Sequence, residues 1–251
     1  MKSEIILKNV FLDFPIYDTQ SLSLRNEVSN IGKIIAKKKD GKKQIKMVRA
    51  LRDINFNIYD GDRLALLGSN GSGKTTLLKL IAGIYSPSSG LVQSSGEISC
   101  MLDIGFGFEQ DATGYENIIL SNIAKGSTLK EINKILPEVT KFSGLGEFIN
   151  MPFRTYSSGM QARLAFSSAI ANNPGILLID EFFSTGDIEF SKKSENKVLE
   201  MMNNSSILVF ASHDLNLLNK VCNKAICMKN GEIVYSGNTE DTINYYRNLK
   251  K

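Results

Sequence analysis

Four blocks of residues along this 251-residue chain could do chemistry together on a phosphate group. Gly68-Ser69-Asn70-Gly71-Ser72-Gly73-Lys74-Thr75 has the composition and spacing of a glycine-rich cradle. There, backbone N–H groups turn toward an anion at a helix start and the helix dipole favours negative charge. Lys74 would neutralise the outer phosphates, the Thr75 hydroxyl would hold Mg2+, and Thr76 would add a further phosphate contact. Asp180 and Glu181 follow the apolar run Ile176–Ile179. Two adjacent acids at the tip of a buried strand need a counter-charge, which a metal ion supplies. Asp180 would hold that ion and Glu181 would orient and deprotonate an attacking water. His213, the only histidine, ends the run Ile207–Ser212. A lone histidine is more often structural than catalytic, but the end of a strand beside the other blocks is where it would touch the terminal phosphate.

The fourth block, Tyr156-Ser157-Ser158-Gly159-Met160, precedes a helix expected from near Gln161. Ser157, Ser158 and Gly159 would form a second anion-binding helix start. If that start lies on a separate lobe it cannot serve the same chain's phosphate. A head-to-tail pair of chains, each capping the nucleotide held by the other, solves the geometry.

The elements that must position these residues read as follows. Glu4–Phe14 is strand-like and stops at Pro15. Ile54, Phe56 and Ile58 mark another strand, and Arg63–Leu67 is an apolar run of strand length entering the glycine loop. Lys74–Ile84 repeats apolar residues at helical spacing, giving strand, loop, helix around the cradle. From Tyr115 to Phe148 the pattern is mostly helical, an inserted lobe between the phosphate motifs. A helix from Ala162 to Asn172 precedes Ile176–Ile179 and Ile207–Phe210, two strands apolar on both faces, as in a parallel sheet covered by helices. Asn230-Gly231 between apolar runs signals a hairpin, and a helix over about 240–249 closes the sequence.

Composition excludes several classes. At 42% hydrophobic and 22% charged the chain is that of a globular domain, and no run approaches the ~20 apolar residues of a membrane span. Its start is too charged for a signal peptide, so a cytosolic protein is expected. Cys100, Cys222 and Cys227 have no zinc or redox spacing and read as small apolar residues. The net charge of +4 is uneven: Lys33–Arg49 holds seven Lys and one Arg against Asp40 alone, so +7 lies there and the remainder is net −3. Leu22, Leu24, Val28, Ile31, Ile34 and Ile35 suggest a short amphipathic helix ahead of the lysines, and Lys37–Lys46 a loop.

These motifs, in this order, resemble the ATP-binding-cassette family over nearly the whole chain. The resemblance implies an α/β fold: a P-loop NTPase of cassette type with a RecA-like parallel sheet, an antiparallel β subdomain and an inserted helical lobe. It implies one nucleotide-binding domain over 1–251, with an insertion over about 18–48, a helical subdomain over about 114–168 and no C-terminal carbohydrate-binding domain. It further implies Walker A at Gly68–Thr75, the signature at Tyr156–Met160, Walker B at Ile176–Asp180, catalytic Glu181 and a switch histidine at His213. The D-loop falls at Ser184–Asp187, and Phe14, with Tyr17 second, is the adenine-stacking aromatic. The signature reads YSSGM where most of the family has LSGGQ, and the Q-loop position aligns near Ile104, with Gln110 too late.

YSSGM, Gly107-Phe108, Thr113-Gly114-Tyr115-Glu116-Asn117, Thr185-Gly186-Asp187 and Phe14-Pro15-Ile16-Tyr17 with its long insertion resemble one branch of that family. That branch is the ATPase subunits of bacterial polysaccharide exporters, handling O-antigen, capsule-like or teichoic acid polymers. The implied protein hydrolyses ATP with Mg2+, pairs as a homodimer, joins a polytopic membrane permease and sits peripherally on the cytoplasmic face of the bacterial inner membrane. Lys33–Arg49 would then be a solvated loop or meet anionic lipid or lipid-linked polysaccharide. The rival reading is a soluble cassette ATPase acting on nucleic acid or ribosomes; a transporter ATPase for another substrate is a third. No nucleic acid partner is expected, because the basic run lacks interleaved aromatics for base stacking.

Overall fold

In a computed structural model of the chain, the residues described are 3–16, 46–102, 105–171, 175–180 and 188–249. They form two sheets and a set of helices. Strands β1 (Glu4–Ile16), β2 (Lys46–Tyr59) and β4 (Ser89–Ser95) make an antiparallel sheet in the order β2-β1-β4. The larger sheet runs β5 (Ile98–Met101), β6 (Ile176–Asp180), β7 (Ile207–Ala211), β3 (Arg63–Leu67), β8 (Lys224–Lys229), β9 (Glu232–Asn238). Its first five strands are parallel, and β9 returns antiparallel to β8. The helices are α1 (Lys74–Ile81), α2 (Gly114–Ala124), α3 (Leu129–Ser143), α4 (Ser158–Ala169), α5 (Ile188–Asn204), α6 (Leu215–Val221) and α7 (Thr239–Leu249).

Strand periodicity divides the core in two. Leu64, Leu66, Ile176, Leu178, Ile207, Val209, Ile226 and Met228 face one side, where they pack with α1 and the antiparallel sheet. Ala65, Leu67, Leu177, Ile179, Leu208, Phe210, Ala225 and Cys227 face the other, against residues of α4, α5, α6 and α7. Every one of these strand residues is buried, which is why the runs read as apolar throughout rather than alternating. A third core belongs to the helical lobe: Ile118, Leu136, Val139, Leu145, Ile149, Phe153, Tyr156 and Leu164. Helix α4 joins two of the three, with Leu164 in the lobe core and Phe166 in the sheet core.

The structure extends several sequence-read elements. β1 continues through Pro15, which pairs Met47 of β2. Pairing with β4 has already ended at Phe11, so the missing N–H of Pro15 costs no ladder bond on that side. α4 begins at Ser158 rather than near Gln161, because the Ser157 hydroxyl accepts the Met160 N–H at 3.2 Å and starts the helix there. The region read as mostly helical over 115–148 resolves into α2, α3 and a short turn over Gly146–Asn150. Thr113 and Thr128 each close a reciprocal capping box, with Glu116 and Glu131. The Asn230-Gly231 hairpin forms as expected, both residues at positive φ (52° and 80°). Tyr17 and the helix suggested around Leu22–Ile35 lie outside the described residues.

Candidate phosphate-binding site

The parallel register levels three strand ends. Asp180 of β6 pairs Ala211 of β7, and Ala211 pairs Leu66 of β3. From this row the glycine loop leaves β3, and His213 follows β7 by two residues. The loop is shaped by close approach: a Cβ at Gly68 would overlap the Ser72 hydroxyl and sit 2.6 Å from the Met228 carbonyl oxygen. Gly71 and Gly73 have φ of 76° and 108°, where side chains with a Cβ are strained. Ser72 N–H donates to the Ser69 carbonyl at 3.1 Å, closing the turn. Gly231 N–H donates to the Ser72 carbonyl at 2.9 Å, and Arg52 N–H to the Gly231 carbonyl at 2.8 Å.

A phosphate fits the start of α1. Helices α2, α3, α4 and α6 have side-chain caps from Thr113, Thr128, Ser157 and Asp214. α1 has none; it starts from left-handed Gly73 with no acid in its first turn. Its leading N–H groups have no intrahelical acceptor, so an external anion is their natural partner. The Ser72 hydroxyl is buried here with no hydrogen-bond partner among the described residues. The Lys74 ammonium folds over the loop, donating to the carbonyls of Gly68 at 2.8 Å and Ser69 at 3.1 Å.

A magnesium ion fits beside it. The Thr75 hydroxyl donates to an Asp180 carboxylate oxygen, so two hard oxygen atoms converge at the mouth of the cradle. Mg2+ is commonly held by one or two such protein ligands, with phosphate and water completing the shell. His213 stands exposed on a fixed turn: Asp214 N–H donates to Ser212 Oγ at 3.1 Å, and the Asp214 carboxylate accepts the N–H groups of Asn216 and Leu217, both at 3.0 Å. Glu181, the D-loop residues Ser184–Asp187 and the position near Ile104 lie outside the described residues.

The structure thus brings Gly68–Gly73, Lys74, Thr75, Thr76, Asp180 and His213 to one sheet edge. Phe14 packs against the core cluster that holds Leu51 and Met228, and its ring meets Tyr85 edge-on at 5.1 Å between centroids. Ser157, Ser158 and Gly159 are exposed at the start of α4. α4 is 12 residues long, about 18 Å, and its far end packs on the sheet face opposite α1. The signature therefore opens a helix whose near end packs in the lobe core and whose far end is anchored on the sheet face opposite the cradle's own helix.

Two anchors of this segment carry no signal in their isolated residue types. Asn117 is fully buried; its side chain accepts Glu109 N–H at 2.6 Å and donates to the carbonyls of Glu109, Ala112 and Thr113. Tyr156 donates from its hydroxyl to the Phe148 carbonyl at 2.6 Å. Burial pushes the Tyr156 phenol up, and a hydrogen bond from Gly114 N–H partly opposes that.

The family profile described as "ABC transporter" matches residues 51–184, more than half of the chain. The chain belongs to the ABC transporter family. As an ABC ATPase it is similar to the O-antigen export system ATP-binding protein RfbE of Yersinia enterocolitica, 40% identical over 92% of this chain and 96% of that protein. It is likewise 40% identical to the teichoic acids export ATP-binding protein TagH of Listeria innocua, over 80% of this chain and 60% of that longer protein. The O-antigen export protein RfbB of Klebsiella pneumoniae is 34% identical over 98% of both chains.

Among solved structures, a post-hydrolysis dimer of the ATP-binding cassette MJ0796 bound to ADP and Pi has a TM-score of 0.64 at 24% identity, over 94% of this chain and 98% of that one. An ATP-binding subunit of an ABC transporter has a TM-score of 0.68 at 19% identity, over 98% and 99%. At those identities the likeness is one of fold. This ABC ATPase is an α/β P-loop cassette, and among its described residues no helix is long and apolar enough to cross a membrane.

Proposed function

We propose that this ABC ATPase is the energy-coupling subunit of a bacterial exporter that moves lipid-linked polysaccharide, of the O-antigen or teichoic acid class, across the cytoplasmic membrane. Likeness to export ATP-binding proteins over nearly full length supports the substrate class. Two copies act head to tail on a polytopic permease, at the cytoplasmic face. One observation carries the pairing: the signature and the cradle belong to elements packed on opposite faces of one sheet. Neither copy can then close its own site, whereas a second copy can supply Ser157–Gly159 from outside.

In this reading the N–H groups of Gly71–Thr76 bind the triphosphate, and Lys74 leaves the loop carbonyls to neutralise its outer oxygens. The Thr75 hydroxyl and the Asp180 carboxylate, hydrogen-bonded to each other here, are the residues that would hold Mg2+. When bound, that ion offsets charge developing on the transferred phosphoryl group. Glu181 takes the proton of the attacking water, and His213 donates toward the terminal phosphate. Phe14 supports the adenine ring after leaving its edge contact with Tyr85.

The domain is a single cassette over 1–251, with the helical subdomain at about 114–168. Within Lys33–Arg49, Arg49 is already paired with Asp13 at 2.8 Å, so contact with anionic lipid rests on the lysines. Neutralising Lys37, Lys38, Lys39, Lys42 and Lys43 together should weaken binding to anionic liposomes; unchanged binding removes that contact. For the pairing, Glu181→Gln with saturating Mg·ATP should run as a dimer in sedimentation. A strictly monomeric protein, even with its permease present, would refute the scheme.

A further inference from the structure

The Ser157 cap that starts α4 is itself held from behind by the residue before it. Tyr156, immediately before the Ser157 cap, is buried in the lobe core. Its hydroxyl reaches across to the turn Gly146–Asn150 through the Phe148 carbonyl. At the same point it meets the start of α2: a Cβ added to Gly114 would overlap the Tyr156 hydroxyl and lie 3.1 Å from the Ile149 carbonyl oxygen. Gly114 is the first residue of α2 and needs no left-handed backbone, so alanine would suit its conformation. Glycine in a helix is less favourable than alanine, which makes its presence here a steric requirement rather than a conformational one. The remaining chain around the phenol is tied down as well. Phe153 and Arg154 N–H groups donate to the carbonyls of Ala112 at 2.8 Å and Gln110 at 2.9 Å, and Arg154 pairs with Asp111.

We propose that Tyr156 is a positioning residue for the signature: its hydroxyl, seated over the missing side chain of Gly114 and bonded to Phe148, fixes the angle at which Ser157 and the start of α4 face the partner's nucleotide. The proposal rests on the paired reading above. It also joins two phrases of the sequence, Thr113-Gly114-Tyr115-Glu116-Asn117 and Tyr156-Ser157-Ser158-Gly159-Met160, into one mechanical unit: the tyrosine requires the glycine. A leucine in place of Tyr156, the residue most of the family carries there, fills the core without reaching Phe148.

The test is steady-state ATP hydrolysis by the purified full chain, with melting temperature recorded for each variant. Tyr156→Phe should lower kcat about tenfold, equivalent to about 1.4 kcal/mol, while KM for ATP moves less than about twofold, because the variant's own cradle is intact. Gly114→Ala should show a similar kcat defect. The double variant Gly114→Ala with Tyr156→Leu should lose less relative to Tyr156→Leu than Gly114→Ala loses relative to the parent, since the overlapping atom is gone and only the closer approach to Ile149 remains. Ser157→Ala separates the two levels of the argument. If Ser157→Ala loses turnover and Tyr156→Phe does not, the positioning role is wrong and the paired reading stands. If Ser157→Ala keeps full turnover, the paired reading falls and takes this inference with it. Additive defects at Gly114 and Tyr156 would also overturn the coupling.

Discussion

Two caps in the same lobe offer a controlled comparison between holding a helix and touching a nucleotide. Ser157 accepts the Met160 N–H at 3.2 Å at the start of α4, and Thr128 accepts the Glu131 N–H at 3.3 Å at the start of α3. Alanine at either site removes one cap, worth about 1 kcal/mol. For a chain of this size that lowers the melting temperature by about 2–4 °C. With a total stability on the order of 5–15 kcal/mol, well over nine-tenths of either variant remains folded at 25 °C, so unfolding cannot reduce activity appreciably. The Ser157 hydroxyl keeps its proton to donate outward while its oxygen serves the cap. If that proton meets the partner's terminal phosphate, Ser157→Ala should slow hydrolysis by about 10²-fold, equivalent to about 2.7 kcal/mol, in line with the loss of one preorganised donor. Thr128→Ala should hydrolyse ATP within about twofold of the parent. Both variants are assayed at saturating Mg·ATP alongside a thermal melt. Equal, small losses of turnover in the two variants would refute the claim that the signature touches nucleotide.

Other expectations follow from the same geometry. Lys74→Ala should lower ATP affinity by about 10²-fold in a nucleotide titration, with only a small change in melting temperature, because the bonds it loses to the Gly68 and Ser69 carbonyls lie within the loop itself. Glu116, chiefly through the Thr113 N–H, and Glu131, chiefly through the Thr128 hydroxyl, are held below the ordinary value of 4.5. Their contribution to lobe stability is therefore present above pH 4.5 and lost as pH falls through the lowered values. The melting temperature should fall between about pH 5 and 3, and replacing both with glutamine should flatten that slope. Burial pushes the Cys100 thiol up to about 11 and Cys222 up to about 12 from 9.0. Iodoacetamide at pH 8 should modify both at least about 100-fold more slowly in the native chain than in urea, and equal rates would count against the packing described.

The chemistry-bearing strands were legible because burial on both faces leaves a continuous apolar run, and because a glycine loop between strand and helix has few other uses. What escaped the sequence was set by pairing and packing. β4 and β5 carry little apolar signal, since Leu91, Gln93 and Ser94 of β4 face solvent and β5 is an edge of its sheet. α5 puts Val198, Met201 and Met202 into the core among many polar residues, a weaker stripe than the neighbouring strands. α4 gained its first turn from a single hydroxyl, ahead of the Ser158-Gly159 pair whose helix propensity is poor. Order along the chain singles out Phe14, and its edge contact with Tyr85 is a packing detail that order does not reveal.

The hairpin after β8 has an effect on ligand capture from far along the chain. Gly231 can lie against the backbone of Ala50 only because it has no side chain, and its N–H grips the Ser72 carbonyl while its own carbonyl takes Arg52. The nest for the triphosphate is thus moulded during folding, from behind, by a turn that never meets the ligand. Fixing the loop backbone in this way lowers the ordering cost of binding, and loosening that one turn would weaken binding without altering any atom that contacts ATP.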